Sequence, residues 1–271
     1  MIRTEGLSKR FGTKQAVDHL DLDIPEGEFF CFLGPNGAGK TTTIKMLTGL
    51  VRPTAGRAWI GTHDVVEEPV EAKRLLGYVP DHPFLYDKLT GREFMRFVAG
   101  LYRLPAARYA ERVDELLATF ELAHVADQLV ESYSHGMRQK LSFASTFLHE
   151  PLALVVDEPW VGLDPKNIRA VKTYLRRAAD SGLTILMSTH TLSIAEELAD
   201  RIGILHHGRL RHVGTVDEIK RLARAAAVDG AAEGAEGGPS SSLEDVFLEL
   251  TREADDEAAA LATAPSTVVS A

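Results

Sequence analysis

The chain has 271 residues, 45% apolar, 25% charged and 7% aromatic, with a formal net charge of −9. That composition excludes disordered, fibrous and disulfide-stapled classes and argues against broad attraction to nucleic acid or anionic lipid. One cysteine, Cys31, excludes an internal disulfide framework or multi-cysteine zinc site and fits a reducing compartment.

Apolar runs such as Leu152 to Val156 reach about a quarter of the roughly 20 residues that a membrane span needs. Met1 to Arg10 is charged with no apolar stretch behind it, so neither a spanning segment nor a signal peptide is expected. In chain order, Ala16, Asp18, Leu20, Leu22 and Ile24 alternate with polar neighbours and predict a half-exposed strand, closed by the turn Pro25-Glu26-Gly27. Phe29 to Leu33 is uniformly apolar and runs into glycines, the pattern of a strand buried on both faces of a parallel sheet. A helix is expected at 41–50. From Leu89 to Ser132 the period becomes helical, with Phe94, Phe97, Val98 and Leu101 on one stripe and Val113, Leu116, Leu117 and Phe120 on another.

Leu152 to Val156 and Leu183 to Met187 repeat the buried-strand pattern. Between them a helix at 166–180 carries Ile168, Val171 and Leu175 on one face and arginines on the other. Thr215-Val-Asp-Glu218 is a capping box opening another short helix. Ala225 to Ser242 is too poor in large apolar groups to offset its ordering entropy and reads as a flexible linker. Leu243, Val246, Phe247 and Leu250 form one stripe of a C-terminal amphipathic helix over 243–253, followed by a disordered tail over 254–271. Strands alternating with helices predict an α/β fold with a mostly parallel sheet. The organisation expected is a core of 1–88 and 133–224, interrupted by an inserted α-helical subdomain at 89–132.

Gly34-Pro35-Asn36-Gly37-Ala38-Gly39-Lys40-Thr41-Thr42 follows the buried strand and opens a helix, the setting a phosphate-binding loop requires. Glycines let backbone N–H groups turn onto phosphates, the helix terminus adds positive potential, Lys40 neutralises the β and γ groups, and the Thr41 hydroxyl can coordinate magnesium. Asp157 and Glu158 stand at the mouth of a second buried strand. Asp157 suits a magnesium ion, and Glu158 can act as general base toward water. Read alone, the two acids could equally cap the following turn, Ser134 could be an ordinary helix N-cap, and His190 could be satisfied by a local hydrogen bond.

In this combination and order the motifs resemble those of the nucleotide-binding subunits of ATP-binding cassette (ABC) transporters, over about residues 2–250. Gly34 to Thr41 is similar to the Walker A loop, and Leu152 to Glu158 to Walker B with its catalytic glutamate. Tyr133 to Gln139 resembles the family signature, Gly162-Leu163-Asp164 the D-loop, and Ser188-Thr189-His190 the switch histidine region. The resemblance implies a P-loop NTPase core with an antiparallel β edge and the cofactors ATP and Mg²⁺. It implies adenine stacking by Phe11, catalytic roles for Lys40, Glu158 and His190, and metal contacts from Thr41, Asp157 and Asp81. It further implies that Ser134 and Gly136 touch the γ-phosphate bound by an opposite protomer. The partners implied are a second identical chain or a sister cassette, and integral membrane permease subunits docked on 89–132 with the loop Asp81 to Tyr86; no nucleic acid partner is expected. The location implied is cytoplasmic, peripheral on the inner membrane face.

Three departures stand out: His135 and Met137 replace a signature glycine and glutamine, and Asp81 stands where the family often has glutamine. The signature, the loop Pro80-Asp-His-Pro-Phe-Leu-Tyr86, Leu89-Thr-Gly-Arg-Glu93 and Leu243 to Thr251 resemble the drug, antibiotic or lipid exporter branch. The alternative is a cytosolic ABC ATPase acting on nucleic acid or ribosomes. Tandem cassettes, coiled-coil insertions and zinc cysteines of that class are missing from the sequence.

Overall fold

A strand buried on both faces must be apolar at every position, and β3 (Phe29–Leu33) shows why. Phe29, Cys31 and Leu33 enter one core, whereas Phe30 and Phe32 enter the other. The structure, a computed structural model, describes residues 1–160 and 163–221, without the side chains of 106–108. The expected linker, C-terminal helix and tail, and Gly162, lie outside the described residues.

The chain begins with β1 (Ile2–Phe11) and β2 (Lys14–Ile24), an antiparallel pair ahead of β3. It continues through α1 (Lys40–Leu47), β4 (Ala55–Ile60), β5 (His63–Asp64), α2 (Pro69–Leu75) and β6 (Leu76–Val79). Three longer helices come next: α3 (Gly91–Leu101), α4 (Ala106–Thr119) and α5 (His135–Thr146). Then β7 (Ala153–Asp157), α6 (Pro165–Asp180), β8 (Thr184–Thr189), α7 (Leu192–Leu198), β9 (Arg201–His206) and β10 (Arg209–Gly214) complete the described elements named here.

Two sheets result. One is antiparallel, in the order β2-β1-β4-β5; the other runs β10-β9-β3-β8-β7-β6, parallel throughout except for β10 at its edge. The parallel sheet separates two apolar cores. Helices α3 to α7 close one of them, and the antiparallel sheet with α1 closes the other. Thr215 and Glu218 exchange hydrogen bonds in the capping box the sequence predicts.

Two expectations are corrected. The alternation predicted from Ala16 to Ile24 holds only for Leu20, Leu22 and Ile24; upstream, Val17 is the buried residue, and Ala16 and Asp18 are half-exposed. The slip occurs at His19, whose φ of 48° places it in the left-handed region. Its N–H donates to Ser8 Oγ at 2.9 Å, and the Asp18 N–H donates to the Gly208 carbonyl at 2.8 Å. A bulge with replacement donors and acceptors thus shifts the inward face by one residue. On α3, Phe94 is buried, but Phe97 and Leu101 of the predicted stripe are exposed. The apolar stripe is wider than the neighbouring helices cover, and Phe97 instead meets Tyr86 edge to face at 5.1 Å.

His149 follows α5 and lies parallel to the Tyr102 ring at 3.8 Å, with Nε2–H donating to the Leu76 carbonyl at 3.1 Å. Burial pulls its pKa down to about 4. A base held neutral in the folded state contributes stability fully above the unfolded value near 6.5 and loses it as pH falls toward 4. Chemical denaturation of wild type and His149→Gln should show the stability difference moving against wild type by about 3 kcal/mol between pH 7 and pH 4. A pH-independent difference would contradict the buried neutral imidazole.

Candidate active site

Parallel strands deliver their following loops to one edge of the sheet. Adjacent strands β3, β8 and β7 deliver the loop 34–39, His190 and Glu158 respectively. Register adds a constraint: Asp157 stands opposite Ser188 and Leu33 opposite Thr189. The apolar strands set the geometry, and the polar residues start where the strands end.

Gly39 caps α1 with a φ of 111° and no side-chain capping bond. A Cβ there would meet the Ala16 carbonyl oxygen at 2.6 Å, so both conformation and space require glycine. The first turn of α1 therefore presents backbone N–H groups without a side-chain partner, an arrangement suited to an anion. Lys40 begins that helix; its Nζ donates to the Gly34 carbonyl at 2.6 Å and the Pro35 carbonyl at 3.2 Å. Burial pulls the ammonium pKa down, opposed by the carboxylates of Glu158 and Asp157. Glu158 Oε1 lies 3.9 Å from Lys40 Nζ.

Asp157 is almost wholly buried, which is costly for a carboxylate unless donors surround it. Its Oδ1 accepts from Ser188 Oγ at 2.5 Å and Thr41 Oγ1 at 3.3 Å. The next residue, Glu158, has a φ of 46°, strained for a side chain with a Cβ, and its N–H donates to the Ser188 carbonyl. That turn aims the carboxylate away from the sheet: Oε2 lies 2.8 Å from Nδ1 of the exposed His190.

A cleft of about 350 Å³ opens here, lined by Phe11, Lys14, Asn36, Gly37, Gly39, Lys40, Thr41, Thr42, Asp81 and Glu158 among others. The Phe11 ring is half exposed, with Lys9 Nζ 5.0 Å from its centroid. Asp81 lines the wall but is engaged by His82, through the backbone N–H at 2.8 Å and Nδ1 at 3.0 Å. Ser134 and Gly136 do not line this cleft. Ser134 is exposed and its Oγ accepts from the Met137 N–H at 3.3 Å, capping α5.

The sequence reading missed two participants. Ser188 enters the sequence reading only as part of the switch histidine resemblance Ser188-Thr189-His190, yet it holds Asp157; only strand register reveals that pairing. Lys14 lines the cleft beside Phe11, and its signal is the short turn Gly12-Thr13 that brings a base back toward the ring.

Among the described residues no cluster of three or more His, Cys, Asp or Glu could hold a metal ion. The oxygen donors Thr41 and Asp157 suit a hard divalent cation that takes its other ligands from phosphate and water. Two such donors fall short of a closed cage.

The sequence matches the family described as ABC transporter over residues 17–161. It is 41% identical over 219 residues to the daunorubicin resistance ATP-binding protein DrrA3 of Streptomyces coeruleorubidus, covering 81% of this chain and 69% of that protein. It is 37% identical over 228 residues to the bacitracin transport ATP-binding protein BcrA of Bacillus licheniformis, covering 83% and 72%. A solved structure of an ATP-binding subunit of an ABC transporter superposes with a TM-score of 0.81 at 34% identity, over 93% of this chain and 99% of that one.

Removing the Ser188 hydroxyl leaves the buried Asp157 carboxylate short of a donor. Ser188→Ala should lower unfolding free energy by about 1–3 kcal/mol in denaturant titration. A change within ~0.3 kcal/mol would show that Asp157 does not depend on it.

Proposed function

Because the chain belongs to the ABC transporter family, we propose that it is the ATP-binding and ATP-hydrolysing subunit that drives export through separate membrane permease subunits. The observation that carries this reading is the convergence of Lys40, Asp157, Glu158 and His190 at the ends of three adjacent strands, around a cleft with Phe11 on its rim.

Phe11 stacks on adenine. Backbone N–H groups from Gly34 to Thr42, through Pro35, Asn36, Gly37, Ala38 and Gly39, wrap the phosphates. The Lys40 ammonium neutralises the β and γ groups. Its bonds to the Gly34 and Pro35 carbonyls keep it pointed at the loop. Thr41 and Asp157 would hold Mg²⁺, with Asp81 on the facing wall, and the ion would supply charge neutralisation on the phosphate oxygens. Glu158, fixed by its turn and by His190, accepts the proton of the attacking water. His190 orients that water and the terminal phosphate. In-line transfer requires mainly positioning and neutralised charge, which these groups supply.

One chain leaves the pocket incomplete. Ser134, exposed, and Gly136, half-buried, stand at the start of α5 outside the cleft and meet the γ-phosphate of an opposing copy or a sister cassette. The resulting head-to-tail pair encloses two nucleotides. The helical insertion 89–132 and the loop 81–86 form the face for the permease. Phe84, Tyr86, Phe97 and Leu101 are exposed there, an apolar patch of the kind that marks a protein contact. No helix among the described residues is long and apolar enough to cross a membrane. In this reading the motion passes to a spanning permease subunit on the cytoplasmic side.

Glu158→Gln should lower kcat by about 10²–10⁴-fold while leaving the ATP dissociation constant within about threefold. Lys40→Ala should weaken ATP binding by at least about tenfold in calorimetry. Full turnover in the first variant, or unchanged affinity in the second, would overturn the assignment.

A further inference from the structure

Away from the nucleotide cleft, α6 lines an open groove of about 430 Å³. Its floor is aromatic: Phe120, at the end of α4, and Tyr174 have ring centroids 5.0 Å apart. Its rim is basic, with Lys140, Lys166, Arg169 and Arg177 against the single carboxylate of Glu121. Glu121 accepts from Lys140 at 2.9 Å and lies 4.0 Å from Lys166. Arg169 and Arg177 are exposed and make no ion pair with another described residue. An apolar floor under uncompensated positive charge fits an acidic amphipathic segment.

The chain carries one. Leu243, Val246, Phe247 and Leu250 recur at helical spacing, and between Leu243 and Glu257 there are seven acids and one base. We propose that residues 243–257 dock into the α6 groove of their own chain, seating the apolar stripe on Phe120 and Tyr174 and the acids against Arg169 and Arg177. The end of the described chain is well placed for this. Lys220 pairs with Glu196 of α7 at 2.7 Å, and the adjacent Glu197 pairs with Lys172 of α6 at 2.6 Å, so a single helix intervenes. A flexible coil of the same length and composition as 222–242, which is rich in Ala, Gly and Ser, would have a root-mean-square reach of about 25 Å, comparable to the length of α6. A tether of that length gives an effective concentration on the order of millimolar, which favours the chain's own segment over a second copy. Exposed ion pairs contribute little each, so the arginines select and orient the segment, and the apolar contact holds it.

The test is disulfide trapping in the full chain. Ala170→Cys and Phe247→Cys are introduced together; Cys31 is buried with its thiol pKa pushed up by burial, so it stays silent. Mild oxidation should give a cross-linked monomer, seen as a faster band on a non-reducing gel. Arg169→Glu with Arg177→Glu should slow the cross-linking by about tenfold, and adding Glu244→Arg with Asp245→Arg should restore it. ATP affinity, set at the remote cleft, should stay within about twofold and report intact folding. Absence of cross-linking in a chain that binds ATP normally, cross-linked dimers in place of monomers, or a rate indifferent to charge reversal would each overturn the proposal. Lys40 and Glu158 are unchanged, so the cross-link and its response to charge reversal do not depend on the nucleotide reading; ATP affinity enters only as the control for folding.

Discussion

Burying a carboxylate at the end of an apolar strand is the constraint around which the site is organised. Asp157 tolerates burial because the Thr41 and Ser188 hydroxyls converge on one of its oxygens. Those hydroxyls sit on α1 and β8, elements placed by the sheet order and by the loop after β3. Satisfying one buried charge therefore fixes the phosphate loop, the strand carrying His190 and the turn into Glu158 relative to one another. The strained φ at Glu158 follows from the same demand: the chain must leave β7 sharply enough to point the next carboxylate outward.

The two cores explain how such a polar edge is supported. Every strand of the parallel sheet from β9 to β7 is buried along almost its whole length, and α5 ties the helical insertion to the sheet through Phe143, which stacks with Phe120 at 6.1 Å. The cleft therefore rests on buried strands, whereas the exposed apolar side chains Phe84 and Leu101 lie on a loop and an incompletely covered helix. The buried sheet and the exposed apolar patch are drawn from different parts of the chain.

Much of this was legible in the sequence, for a physical reason in each case. Short, largely apolar runs from Phe29, Leu152 and Leu183 fit strands covered on both sides, and the glycines after Leu33 fit the backbone conformation that Gly37 and Gly39 adopt. The bulge at His19 was not legible, because its replacement partners, Ser8 and the Gly208 carbonyl, lie far away in the sequence. Neither was the width of the stripe on α3, since periodicity counts apolar residues without knowing how many the neighbours cover. Thr90 and Glu93 form a capping box that the motif Leu89-Thr-Gly-Arg-Glu93 contains, so part of that resemblance reflects a helix start. At Asp81 the family resemblance implies a metal contact, and the pairing with His82 is a local feature that the motif does not reveal.

The account stands or falls on whether two chains share each nucleotide, because Ser134 and Gly136 have no place in their own chain's cleft. The most direct measurement is the light-scattering mass of purified Glu158→Gln with saturating ATP and magnesium, compared with the same protein without nucleotide. The account predicts a mass that doubles with ATP and returns to the single-chain value when the Ser134 hydroxyl and the Lys40 ammonium are both removed. A single-chain mass at saturating ATP, in a variant that demonstrably binds the nucleotide, would contradict a nucleotide shared between two copies of this chain.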